Sequence, residues 1–73
     1  MDKESFRKEI LRRLPVKFIF KPKDIATLGI LSCSGLSRLR RLGKGPKYFK
    51  MSERGFGYFR DDLIDWIVEN MSI

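Results

Sequence analysis

Proline, glycine and serine punctuate this chain so closely that only short helices and strands fit between them, and each break carries its own chemistry. Pro15 stops a first helical run. Pro22 opens a second, because proline's missing N–H would have no partner at the first helical position. Gly29 ends that helix, since only a residue without Cβ takes the left-handed conformation cheaply. Ser32 caps a third helix, and Gly43 closes it.

Between these breaks the apolar spacing names the elements. Residues Asp2 to Leu14 predict an amphipathic helix, with Phe6, Ile10 and Leu14 at every fourth position, Leu11 beside them, and Arg and Lys outside. Val16 to Phe20 is β-branched and aromatic and predicts a strand. Asp24 places a negative charge in the first turn of the helix from Pro22, where the helix dipole favours it. The third helix is expected from Cys33 to Leu42. A helix, a short turn holding a glycine and a second helix form a helix-turn-helix pattern. Lys47 to Met51 and Phe56 to Arg60 then predict two strands, joined by the polar turn Ser52-Glu53-Arg54-Gly55. A last helix starts at Asp61 or Asp62, with Leu63, Trp66, Ile67 and Met71 on one side.

The expected fold class is α+β: a small winged helix-turn-helix with a two- or three-stranded antiparallel wing and an additional N-terminal helix. With 73 residues there is room for one small core. Residues 1–15 are expected as an N-terminal amphipathic extension and residues 16–73 as the winged helix-turn-helix domain. Charges interrupt every apolar stretch, so neither a membrane span nor a secretion signal is expected. Cys33 is the single cysteine, which fits a reducing cytoplasm. It is expected near the buried side of the third helix, as a packing residue.

Charge gives the first functional direction. The chain carries a formal net charge of +7, and its distribution is uneven. From Ser34 to Arg60 there are eight basic residues against Glu53 alone, whereas from Asp61 onward there are four acids and no base. Such a stripe attracts a polyanion. On the third helix Leu36 and Leu39 fall inward. Ser34, Ser37, Arg38 and Arg41, at i, i+3, i+4 and i+7, form the opposite side, without an acid among them. A major groove admits such a helix, and arginine bonds guanine bidentately. Gly35 lets the backbone approach closely. Lys44, Lys47, Lys50 and Arg54 continue the positive charge along the link and the hairpin, where they would hold phosphate. These nine residues are the expected DNA-binding set.

In order and spacing, several parts resemble the excisionase and AlpA-type regulators, winged helix-turn-helix domains related to the MerR fold. They are Pro22-Lys23-Asp24-Ile25-Ala26, Ser32, Leu36 with Leu39, Gly43-Lys44-Gly45-Pro46, Lys47-Tyr48-Phe49-Lys50, Tyr58 and Asp62-Leu63-Ile64-Asp65-Trp66. The match covers Phe20 to Ile67. Lys21 stands where that family has a Thr cap, Gly29 falls one position early, and the wing is one residue longer. The resemblance implies an excisionase or a transcription regulator of a phage or mobile element. It implies double-stranded DNA as the partner, with an integrase or RNA polymerase beside it and self-association on DNA.

Two rival readings come from other classes. Arg54-Gly55-Phe56-Gly57-Tyr58-Phe59 matches the opening of the RNP1 motif of RNA and single-strand binders, whose rings stack on bases. The fourteen residues from Arg60 onward are too few for the rest of those folds. A basic adaptor docking on an acidic protein is the other rival. An enzyme is not expected: the chain has no histidine, and Gly43-Lys44-Gly45 lacks the length of a phosphate-binding loop. No cofactor, metal or small-molecule substrate is expected.

Overall fold

A computed structural model describes residues 2–53 and 55–71. It is an α+β fold of four helices and a three-stranded antiparallel sheet. In chain order these are α1 (Lys3–Arg13), β1 (Ile19–Phe20), α2 (Pro22–Thr27), α3 (Cys33–Leu42), β2 (Phe49–Lys50), β3 (Phe56–Phe59) and α4 (Arg60–Asn70).

Each helix end has a chemical cause. At the start of α1, the Asp2 carboxylate accepts from the Ser5 N–H at 2.7 Å, and Arg12 and Arg13 lie in its last turn. Lys21 offers α2 no capping oxygen, so Asp24 supplies it from inside the first turn, accepting from the Lys21 N–H at 2.9 Å. Ser32 caps α3 by accepting from the Gly35 N–H at 3.0 Å. Helices α2 and α3 end in the same way. Gly29 and Gly43 take φ of +79° and +69°. Their N–H groups donate to Ala26 and Arg40, and the next residues, Ile30 and Lys44, donate back to Ile25 and Leu39. This pair of bonds satisfies carbonyls that the helix end would leave open.

The strands are shorter than their composition suggests. Of Val16 to Phe20, only Ile19 and Phe20 pair with β3, opposite Phe59 and Tyr58. The partner runs out: Arg60 donates its N–H to the Phe18 carbonyl and then begins α4. Val16 and Phe18 are left 94% and 76% exposed. Likewise β2 keeps only Phe49 and Lys50, opposite Gly57 and Phe56. The sheet order is β1-β3-β2.

Pairing fixes which side chains share a face. Phe20 and Tyr58 point inward and are buried, together with Ile25 of α2, Leu36 of α3 and Leu63, Ile64, Ile67 and Val68 of α4. Ile19, Phe49, Gly57 and Phe59 share the other face. Phe49 stacks on Phe59 there, with centroids 4.6 Å apart. Gly57 makes this crossing fit, because a Cβ at that position would lie 2.7 Å from the Phe49 ring.

Helix α1 packs along α4, and Leu14, the residue that caps its end, joins the core. Arg7 pairs with Asp65 at 2.7 Å and Lys3 with Glu69 at 3.0 Å across that contact. Arg60 is not a free cation at the end of the hairpin, as its position in the basic stretch suggested. Its guanidinium donates to the carbonyls of Leu11, Leu14 and Pro15 at 2.8–3.0 Å, closing the C-terminal end of α1. Cys33 also departs from expectation. It is exposed, because the first residue after the Ser32 cap lies ahead of the turn that Leu36 anchors.

Candidate nucleic-acid interface

Helix α3 is held by its inward side. Leu36 is buried, Leu39 is half-buried, and Arg40 makes the third attachment. The Arg40 guanidinium lies 3.9 Å from the centroid of the Phe56 ring and donates to the Tyr58 hydroxyl at 3.2 Å. A cation over an aromatic face and a bond to a buried phenol together lock α3 against the hairpin. Nothing in composition marks Arg40 out from its neighbours. The signal was angular: Arg40 lies one turn beyond Leu36 and next to Leu39, so it belongs to the packed side.

The outward stripe stands free. Ser34, Arg38 and Arg41 are exposed, and Ser37 is half-buried. Among the described residues, no side chain bonds either serine hydroxyl, and no acid pairs with either arginine. Gly35 sits beside the cap, where a Cβ would approach the Ser32 hydroxyl to 3.1 Å. It therefore serves the helix start as well as leaving the surface low.

The link and the hairpin extend this surface. The Lys44 carbonyl accepts from the Trp66 indole N–H at 2.9 Å, which fixes the link backbone on α4 and leaves the Lys44 side chain exposed. Lys47 and Lys50 are exposed on and before β2. Arg54, the expected contact at the tip, lies outside the described residues. The turn around it is closed by the Met51 N–H on the Gly55 carbonyl at 2.9 Å. Between the start of α2, α3 and the hairpin runs a groove of about 490 Å³, lined by Lys21, Cys33, Arg40 and Phe56. Lys21 adds a cation to this side that was not in the expected set.

Ion pairs leave out the cations of this surface, as they also leave out Lys8, Lys21 and Lys23 among the described residues. The pairs among the described residues use Lys3, Arg7, Arg12, Arg13 and Lys17. Not one uses a cation of α3, the link or β2. The acids whose carboxyls are held below their usual range are bonded to groups outside α3, the link and β2. Asp24 is lowered by the Lys21 N–H and then by Lys17, Glu9 by Arg12 and Arg13, and Asp2 by Ser5. Five exposed cations, Arg38, Arg41, Lys44, Lys47 and Lys50, therefore have no ion-pair partner among the described residues.

The rings of the RNP1-like run are otherwise engaged. Tyr58 is 1% exposed, and Phe56 carries the Arg40 guanidinium on its face. No helix among the described residues is long and apolar enough to cross a membrane. Compared with known proteins, the chain matches no family model, no curated protein and no solved structure.

Proposed function

We propose that this chain is a sequence-specific double-stranded DNA-binding domain of the winged helix-turn-helix kind. In this reading α2 and α3 form the helix-turn-helix, α3 enters a major groove, and β2–β3 is the wing on the flanking backbone or in the minor groove. The observation that carries it is the set of exposed cations on α3, the link and β2 that no acid pairs with among the described residues, alongside the unengaged hydroxyls of Ser34 and Ser37. Arg38 and Arg41 would read bases with the serines beside them, and Lys44, Lys47 and Lys50 would hold phosphates. The motif order favours an excisionase or AlpA-like regulator, with an integrase or RNA polymerase as protein partner. The reading assigns the chain no catalytic step and no cofactor.

Engagement of Tyr58 and Phe56 speaks against base stacking by the RNP1-like run. The adaptor reading predicts no affinity for any duplex. Selection from a random duplex library, followed by fluorescence anisotropy across salt, tests the proposal. We expect an enriched sequence and a slope of log affinity against log salt near about −4 to −5 for five phosphates neutralised. Equal, weak affinity for all duplexes, or tighter binding to single strands, would falsify it.

A further inference from the structure

The outer face of the sheet, away from Phe20 and Tyr58, ends in an uncovered apolar groove of about 530 Å³. Val16, Phe18 and Phe59 line it, and the Phe18 and Phe59 rings lie 5.2 Å apart. With Phe59 stacked on Phe49, three rings run in a row across this face. Clustered exposed rings of this kind mark contact surfaces on otherwise soluble proteins.

The rim of the groove narrows what can cover it. Asp61 and Asp62 border it, and neither has an ion-pair or hydrogen-bond partner among the described residues. Lys17, ion-paired with Asp24 at 3.0 Å yet half-exposed, and Arg60 border the same groove, so the rim carries both signs. A surface with both signs around an apolar centre can meet its own copy across a twofold axis, acid opposite base. The backbone offers a second feature. Arg60 donates to the Phe18 carbonyl, so Ile19 takes the position at which its own N–H and C=O face away from β3. No described residue bonds them, and β1 is the edge of the sheet.

We infer that two copies of this chain associate through this face, as a twofold dimer in which the β1 edges meet antiparallel at Ile19 and the Val16–Phe18–Phe59 grooves close on each other. The groove shares no lining residue with the α3 stripe, and it meets the link and β2 only through Phe59 and Asp62, so the dimer is expected without DNA and its test does not require DNA binding. A partner this small in contact area gives a weak dimer, visible at high protein concentration.

Sedimentation velocity of the full chain without nucleic acid, from micromolar to about millimolar concentration, tests this. The expected result is a concentration-dependent monomer–dimer equilibrium. Phe18→Ser and Asp61→Lys, both at exposed positions, should each weaken it by roughly tenfold or more, while Arg38→Ala leaves it unchanged. A circular dichroism melt confirms that each variant is folded. Three results overturn the inference: a monomer at every concentration, a dimer indifferent to both substitutions, or growth beyond the dimer. A fourth is loss of binding to a single-stranded oligonucleotide on Phe18→Ser, which would make the rings a base-stacking platform.

Discussion

Arg38 and Arg40 are two residues apart in sequence and are expected to behave oppositely. Arg38 is exposed and has no ion-pair partner among the described residues, so Arg38→Ala should leave the fold intact and relax base preference at one position, by about 1–3 kcal/mol in a competition assay. Lys50→Ala should instead weaken binding to all duplexes and flatten the salt slope by about one. Arg40 is half-buried against Phe56 and Tyr58. Arg40→Met keeps the bulk but loses the ring contact and the phenol bond, and should lower stability by about 1–2 kcal/mol in urea denaturation. Affinity per folded molecule is then expected to change less than stability does.

Asp24 gives a pH prediction at the same scale. Its carboxyl is held below the ordinary 3.8, first by the Lys21 N–H and then by Lys17. A carboxyl lowered by folding contributes stability above its unfolded value and loses it as pH falls through its folded value. Asp24→Ala should therefore melt below wild type at neutral pH, and the two melting curves should converge as the pH drops below the usual carboxylate range. A gap that stays constant with acidification would refute the assignment.

Among the elements, α1 depends on a side chain from the far end of the hairpin. Of the three carbonyls that Arg60 serves, those of Leu11 and Leu14 have no other backbone donor among the described residues, while that of Pro15 also accepts from the Lys17 N–H at 2.9 Å. Arg60→Ala should destabilise the protein by about 1–3 kcal/mol, with amide exchange rising first across residues 11–15. The α3 element was legible because its controls are local: a serine cap, inward leucines and a closing glycine all act within the helix itself. The strands were not, because a strand's length is set by its partner. Val16 and Phe18 have strand chemistry, yet α4 begins where their partner residues would be.

For the molecule as a whole, the core is shared too widely for residues 1–15 to be dispensable. Leu14 is buried, Phe6 and Ile10 pack against the core, and Arg60 is tied to this segment. Removing residues 2–15 would uncover the side of α4 that α1 covers. The truncated chain is expected to lose cooperative melting and amide dispersion, and a well-dispersed spectrum would show the segment to be an accessory. Helix order, the caps at Gly29, Ser32 and Gly43, the stripe of Ser34, Ser37, Arg38 and Arg41 and the excess of positive charge came from the sequence alone, because each depends on neighbours within about one helical turn. Tertiary structure alone decided that Arg60 and Arg40 serve the fold, that Cys33 is exposed and that Phe18 and Phe59 stand uncovered. Those outcomes depend on contacts between segments far apart in the chain, and a linear pattern carries no record of which distant carbonyl, ring or strand end a side chain will meet.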